Sequence, residues 1–139
     1  MLGAGVVVTL LAADEGMATP AEADAEITKF RGGKAAENGK IAIDLPEIAE
    51  NGNTVPLSIA VDSPMNADDY VSEILVICDG NPNPGIARFH LTPMAGRAEA
   101  ATRIRLAATE NVIVLAKTST GKLYSARKLV KVTVGGCGG

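Results

Sequence analysis

The sequence predicts an all-β fold: an antiparallel sandwich of about seven strands, preceded by one short helix and followed by a flexible C-terminal arm. Three observations predict it. After about residue 40 the apolar residues alternate with polar or small ones at a period of two, clusters of Gly, Pro, Asn and Asp separate the alternating runs, and no helical stretch lies between successive runs as a parallel βα fold requires.

The helix comes first. Thr19 is placed to cap it, Pro20 suits the first helical position and Glu22 completes a capping box. Ala23, Ile27 and Phe30 then fall on one face and Gly32 is a natural stop, so the expected helix covers about residues 20–31, laid against the rest as a lid or arm. Ile41, Ile43 and Leu45 open the strand pattern, and Val55, Leu57, Ile59 and Val61 continue it. "YVSEILVICD" is apolar nearly throughout, which predicts a central strand covered on both faces. "GIARFHLT" and "AATRIRLA" follow; the second sets Thr102, Ile104 and Leu106 against Arg103 and Arg105. "NVIVLAKT" is another buried run, and Tyr124, Ala126, Lys128, Val130, Val132 and Val134 share one face of a long last strand. The turns are "ENGN", "DSPMNADD", "DGNPNPG", "TPMAG" and "TSTGK".

The 139 residues suit one domain, and with four aromatic residues its core has to be aliphatic. Residues 17–134 make the sandwich domain with its helix, and residues 135–139 the arm. Residues 1–16 contain "LGAGVVVTLLAA", about the length of a signal-peptide apolar region, with only Met1 before it. Two readings stand for them: a loosely packed apolar leader, or the remnant of an export signal that starts upstream. A net charge of −3 without a long basic run argues against nucleic-acid binding, and no stretch reaches the roughly 20 apolar residues that cross a bilayer.

The residue types of catalysis are sparse. His90 is the single histidine and reads as a hydrogen-bonded or surface strand residue; two cysteines do not make a zinc site, so no metal is expected. Asp68 and Asp69 lie in a turn, where acids satisfy backbone donors. Arg88, Arg97, Arg103 and Arg105 form either an anion or partner patch or a solvated sheet face. Cys78 ends an apolar run and reads as a small core hydrophobe.

The chain ends "KVTVGGCGG". Glycine has no Cβ and visits nearly all backbone conformations, so Gly135, Gly136, Gly138 and Gly139 read as a flexible arm with a hinge after Val134. Extended, the steps from Val134 to Cys137 reach about 10 Å. No cation adjoins the thiol in sequence, and an ordinary thiol of pKa about 8.5 is only a few per cent ionised at neutral pH. That suits a group that carries a passenger and is activated by visiting enzymes. Three other readings compete. One is a Cys78–Cys137 disulfide closing a loop of about 60 residues, worth about 4 kcal/mol on the chain-entropy model. Another is a cysteine that tethers chains or partners to an interaction module. The last is a sulfur carrier that uses the terminal Gly138-Gly139 carboxylate.

With this tail, "DLPEIAENGNTVPLSIAVDSPM" and "DGNPNPGIARFHLTPMAGRAEAATRIRLA", the sequence resembles the SoxY family over roughly residues 20–139. SoxY is the carrier subunit of the bacterial Sox thiosulfate-oxidising system. The resemblance implies an immunoglobulin-like sandwich, not itself an enzyme, that pairs with a SoxZ-like β-sandwich subunit in the periplasm. It makes Cys137 the covalent attachment point for sulfur intermediates of S-thiosulfonate, persulfide or S-sulfonate type, with no tightly bound cofactor. The implied enzyme partners are the c-type cytochrome SoxAX, the manganese-dependent hydrolase SoxB and the dehydrogenase SoxCD. The twin-arginine export signal of family precursors is not written before "LGAGVVVTLLAA", and Cys78 is no part of the family's carrier motif.

Overall fold

A computed structural model describes residues 20–136. The leader expected at residues 1–16, the capping residue Thr19 and the residues Cys137, Gly138 and Gly139 lie outside the described residues.

Helix α1 spans Pro20–Arg31, as its capping pattern predicts. Eight strands follow: β1 (Ile41–Asp44), β2 (Ile48–Asn51), β3 (Val55–Val61), β4 (Val71–Cys78), β5 (Gly85–His90), β6 (Ala98–Ile104), β7 (Glu110–Thr118) and β8 (Leu123–Val134). They form two sheets of an immunoglobulin-like sandwich, one ordered β1-β3-β6 and the other β2-β8-β7-β4-β5. The sequence expectation of about seven strands is short by one, and β2 is the strand it lacks. In β2 only Ala49 is buried, so no period-two pattern marks it. It is also the exception to an antiparallel arrangement, because it pairs in parallel with the end of β8, Ile48 opposite Lys131 and Asn51 opposite Val134.

Alternation decides which residues meet between the sheets. Val55, Leu57, Ile59 and Val61 turn inward from β3, and Ile74, Val76 and Cys78 from β4. Val112, Val114 and Val130 complete the layer from β7 and β8. Lys128, on the inward face of β8, is half-buried, and its ammonium donates to the Leu45 carbonyl at 2.8 Å, which partners the buried charge.

The other face of the five-stranded sheet carries a second apolar layer. Leu75 and Ile77 of β4, Ile113 and Leu115 of β7 and Leu123 of β8 are covered by Ala23, Ile27 and Phe30 of α1. The helix is therefore the outer layer of this sheet, and β4 is covered on both faces as its continuous apolar run predicts. Lys117 and Arg88 place their cations 4.6 and 5.8 Å from the centroid of the Phe30 ring, within cation–π range. No helix among the described residues is long and apolar enough to cross a membrane.

Candidate functional site

The described chain reaches Gly136, at the root of the arm and one residue before Cys137. Strand β8 changes neighbours near its end: Leu123–Val130 pair with β7, and Lys131–Val134 pair with β2. Beyond Val134 the main chain stays bonded. The Gly52 N–H donates to the Val134 carbonyl at 2.7 Å, the Leu106 N–H to the Gly52 carbonyl at 2.8 Å, and the Gly136 N–H to the Leu106 carbonyl at 2.8 Å. Three segments distant in sequence thus close a ring of backbone hydrogen bonds around the place where the arm begins.

A buried polar cluster holds the middle segment of that ring. Asn81 is 0 % exposed, donates from Nδ2 to the Arg105 carbonyl at 2.8 Å and accepts the Ala107 N–H at 2.9 Å through Oδ1. Its amide therefore grips the main chain on both sides of Leu106, supplying the paired donor and acceptor that a neighbouring strand would provide. Two residues on, the Thr109 hydroxyl accepts the Val132 N–H at 2.9 Å, tying the same loop to β8. Glu110 is 4 % exposed, and its carboxylate accepts the Gly80 N–H at 2.8 Å and the Ala108 N–H at 3.4 Å. Loss of hydration raises its pKa, and the nearby Asp79 charge adds to the rise. The backbone donors Gly80, Ala108 and Ala107 act in the opposite sense without reversing it.

The remaining candidates separate. Cys78 is a free thiol, 0 % exposed, whose pKa is pushed up by burial and then by the charges of Glu110 and Asp79. It has no access to solvent and its burial disfavours the thiolate, which agrees with its reading as a core hydrophobe. His90 is exposed at the end of β5. In the turn before β4 the side chain that satisfies backbone donors is Asn66, which accepts from Asp68 at 3.0 Å and Asp69 at 2.9 Å; those acids act there through their own N–H groups. Arg88 stands on the five-stranded sheet, whereas Arg97, Arg103 and Arg105 lie on or beside β6, and those with side-chain contacts have different partners. Arg88 on β5 pairs with Glu73 of β4, Arg97 lies 3.8 Å from Glu99, and Arg103 on β6 reaches the Thr54 hydroxyl at 3.3 Å. Among the described residues no group of three or more His, Cys, Asp or Glu is placed to hold a metal ion.

Residues 27–137 match the family model of the sulfur oxidation protein SoxY. The chain belongs to that family. The SoxY match takes in all the residues of the root described above and ends on Cys137. Among solved structures, the sulfur carrier protein SoxY from Chlorobium limicola f thiosulfatophilum is 33% identical, with a TM-score of 0.69, over 84% of this chain and 100% of that one. A superoxide reductase (neelaredoxin) from Ignicoccus hospitalis has a TM-score of 0.61 at 21% identity, covering 85% of this chain and 96% of its own. A putative superoxide reductase from Thermotoga maritima has a TM-score of 0.56 at 17% identity, covering 74% and 89%. At such identities the two reductases show a shared fold alone. No curated protein matches the chain.

The sequence did not mark Gly52, Asn81, Leu106, Thr109 or Glu110 as parts of the site. Gly52 and Asn81 stand in "ENGN" and "DGNPNPG", which read as turns, and their contacts are made only in the folded chain.

Proposed function

We propose that this SoxY-family chain is a covalent sulfur carrier whose cargo is attached to the Cys137 thiol, on a short glycine-bracketed tether. The observation that carries this reading is the extent of the family match, which runs through the root of the tail to Cys137 itself. The chemistry of the two thiols supports it. Cys78 is sealed in the core with its pKa raised, which leaves Cys137 as the sulfhydryl for loading.

In loading, the Cys137 sulfur and the sulfane sulfur of thiosulfate form an S–S bond. The thiol proton is released and two electrons pass to a c-type cytochrome of SoxAX type. The product is an S-thiosulfonate, Cys137–S–S–SO3−. Water then attacks its terminal sulfur on a SoxB-type manganese-dependent hydrolase, releasing sulfate and a proton and leaving a persulfide on Cys137. A SoxCD-type dehydrogenase oxidises that remaining sulfur to an S-sulfonate with three oxygens from water, releasing seven protons and passing six electrons to a c-type cytochrome acceptor. A second hydrolysis releases sulfate and a proton and returns the free thiol. The carrier supplies the attachment point and its presentation, while activation of sulfur belongs to the enzymes that receive the tail. A SoxZ-like β-sandwich subunit is the proposed stable partner and the periplasm the proposed compartment.

Intact-protein mass spectrometry after incubation with thiosulfate and a SoxAX-type cytochrome tests the reading. The chain gains a thiosulfate adduct, whereas Cys137→Ser gains none and keeps its far-UV circular dichroism. An adduct on Cys137→Ser overturns it.

A further inference from the structure

Glycine pairs flanking a thiol suggest a hinge, yet the two that precede Cys137 have fixed partners. A Cβ on Gly135 would stand 2.2 Å from the Ala107 carbonyl oxygen, and one on Gly136 would stand 2.7 Å from the Gly52 carbonyl oxygen. A Cβ on Gly52 would meet the Leu106 carbonyl oxygen at 2.3 Å and the Gly136 nitrogen at 2.8 Å. The atoms in the way are backbone in each case. None of these three glycines has the positive φ that marks Gly32, Gly33, Gly39, Gly96 and Gly121. Their common property is therefore the absence of a side chain where three main chains converge, not a need for left-handed backbone.

The ring these residues form is braced from inside. Asn81 fixes the main chain on both sides of Leu106, the carbonyl of Leu106 accepts the Gly136 N–H, and Thr109 holds Val132 two residues before Val134. A root bonded at Val132, Val134 and Gly136 leaves no free torsion to act as a hinge after Val134.

We infer that Gly52 and Asn81 are positioning residues for the Cys137 thiol: through Leu106 they hold the main chain of Gly136, the residue to which Cys137 is joined, at a fixed point on the sandwich. The inference rests on the carrier reading and deepens it. With a hinge after Val134 the cysteine would sweep a radius of about 10 Å, whereas a held Gly136 leaves the Cys137 Cα one peptide step, about 3.8 Å, from a fixed point. The freedom of Gly135 and Gly136 is then given up on folding and is not lost again when a partner binds.

Amide hydrogen exchange, measured by NMR on the full chain and corrected for intrinsic rates, tests this. The Gly136 amide exchanges about tenfold or more slowly than its intrinsic unfolded-chain rate, as a native hydrogen bond requires. Exchange at the intrinsic rate overturns the inference. In Gly52→Ala the protection at Gly136 disappears while the amides of β4 and β7 keep theirs, and loading of Cys137 by the cytochrome shows a raised KM for the carrier. Retained protection at Gly136 in that variant also overturns it, and if Gly52→Ala does not fold the wild-type comparison decides alone. The carrier reading fails separately, by an adduct on Cys137→Ser; a chain that loads normally while Gly136 exchanges at its intrinsic rate refutes only the positioning role.

Discussion

The two sheets of the sandwich face solvent in opposite ways. The five-stranded sheet is covered twice, by its partner sheet on one side and by α1 on the other, so its middle strands are apolar at nearly every position: in β7 all of Val112, Ile113, Val114, Leu115 and Ala116 are buried. The three-stranded sheet is covered once. Its outer face carries small or polar residues, among them Ala42, Asp44, Ser58, Ala60, Glu99 and Ala101, along a shallow groove of about 530 Å3. The same backbone geometry thus produces two sequence textures, continuous in one sheet and alternating in the other, according to how many layers lie against it. Most of the largest fully buried side chains, among them Ile74, Ile77, Val112, Val114 and Leu115, belong to the doubly covered sheet.

Three measurements break or sharpen that contrast. The largest effect is expected at Leu115, which is 1 % exposed beneath the helix. Leu115→Ala lowers the free energy of unfolding by about 2–5 kcal/mol in urea titrations, the range for a buried leucine truncated in a packed core. A loss under about 1 kcal/mol there would mean that the helical layer is loosely packed, since a site that collapses around the vacated space loses least.

Next comes Glu110, where the doubly covered sheet buries a carboxyl group. Its pKa in the folded chain is raised above the ordinary value of 4.5, so the folded chain holds this proton more tightly than the unfolded one. The resulting stabilisation is fully present below the ordinary value and is lost as pH rises through the raised value. Urea midpoints recorded from about pH 4 to about pH 7 therefore carry a downward component in the native chain that Glu110→Gln lacks. Identical profiles for the two proteins would remove the burial cost assigned to Glu110. The smallest effect belongs to the open face: Ser58→Ala changes stability by no more than about 0.5 kcal/mol, as for surface positions generally. A larger loss in the same titration would show that the groove is packed against something in solution.

These textures explain how much was legible in advance. The helix was readable because Pro20 and Glu22 write its start and Ala23, Ile27 and Phe30 its buried face. Strands β3, β4, β7 and β8 were readable because each buries either one face or both over seven or more residues. Strand β2 was not, since four residues with a single buried alanine carry no period, and its parallel pairing is set by where β8 happens to end. In the candidate site the cysteine was marked by its glycine neighbours, whereas its support was not. Gly52, Asn81 and Leu106 become neighbours of Gly136 only through hydrogen bonds that cross from one part of the chain to another. A local pattern records propensity, and close approach between distant backbones leaves no such trace.

The exchange of partners along β8 has a mechanical consequence. Leu123–Val130 lie beside β7 and Lys131–Val134 beside β2, so a tug on the tail along the strand axis is shared by two neighbours at once. The bonds run across that axis and are loaded side by side in shear, rather than peeled open one after another like a zipper. A pull on the tail thus works against an anchor spread over two strands.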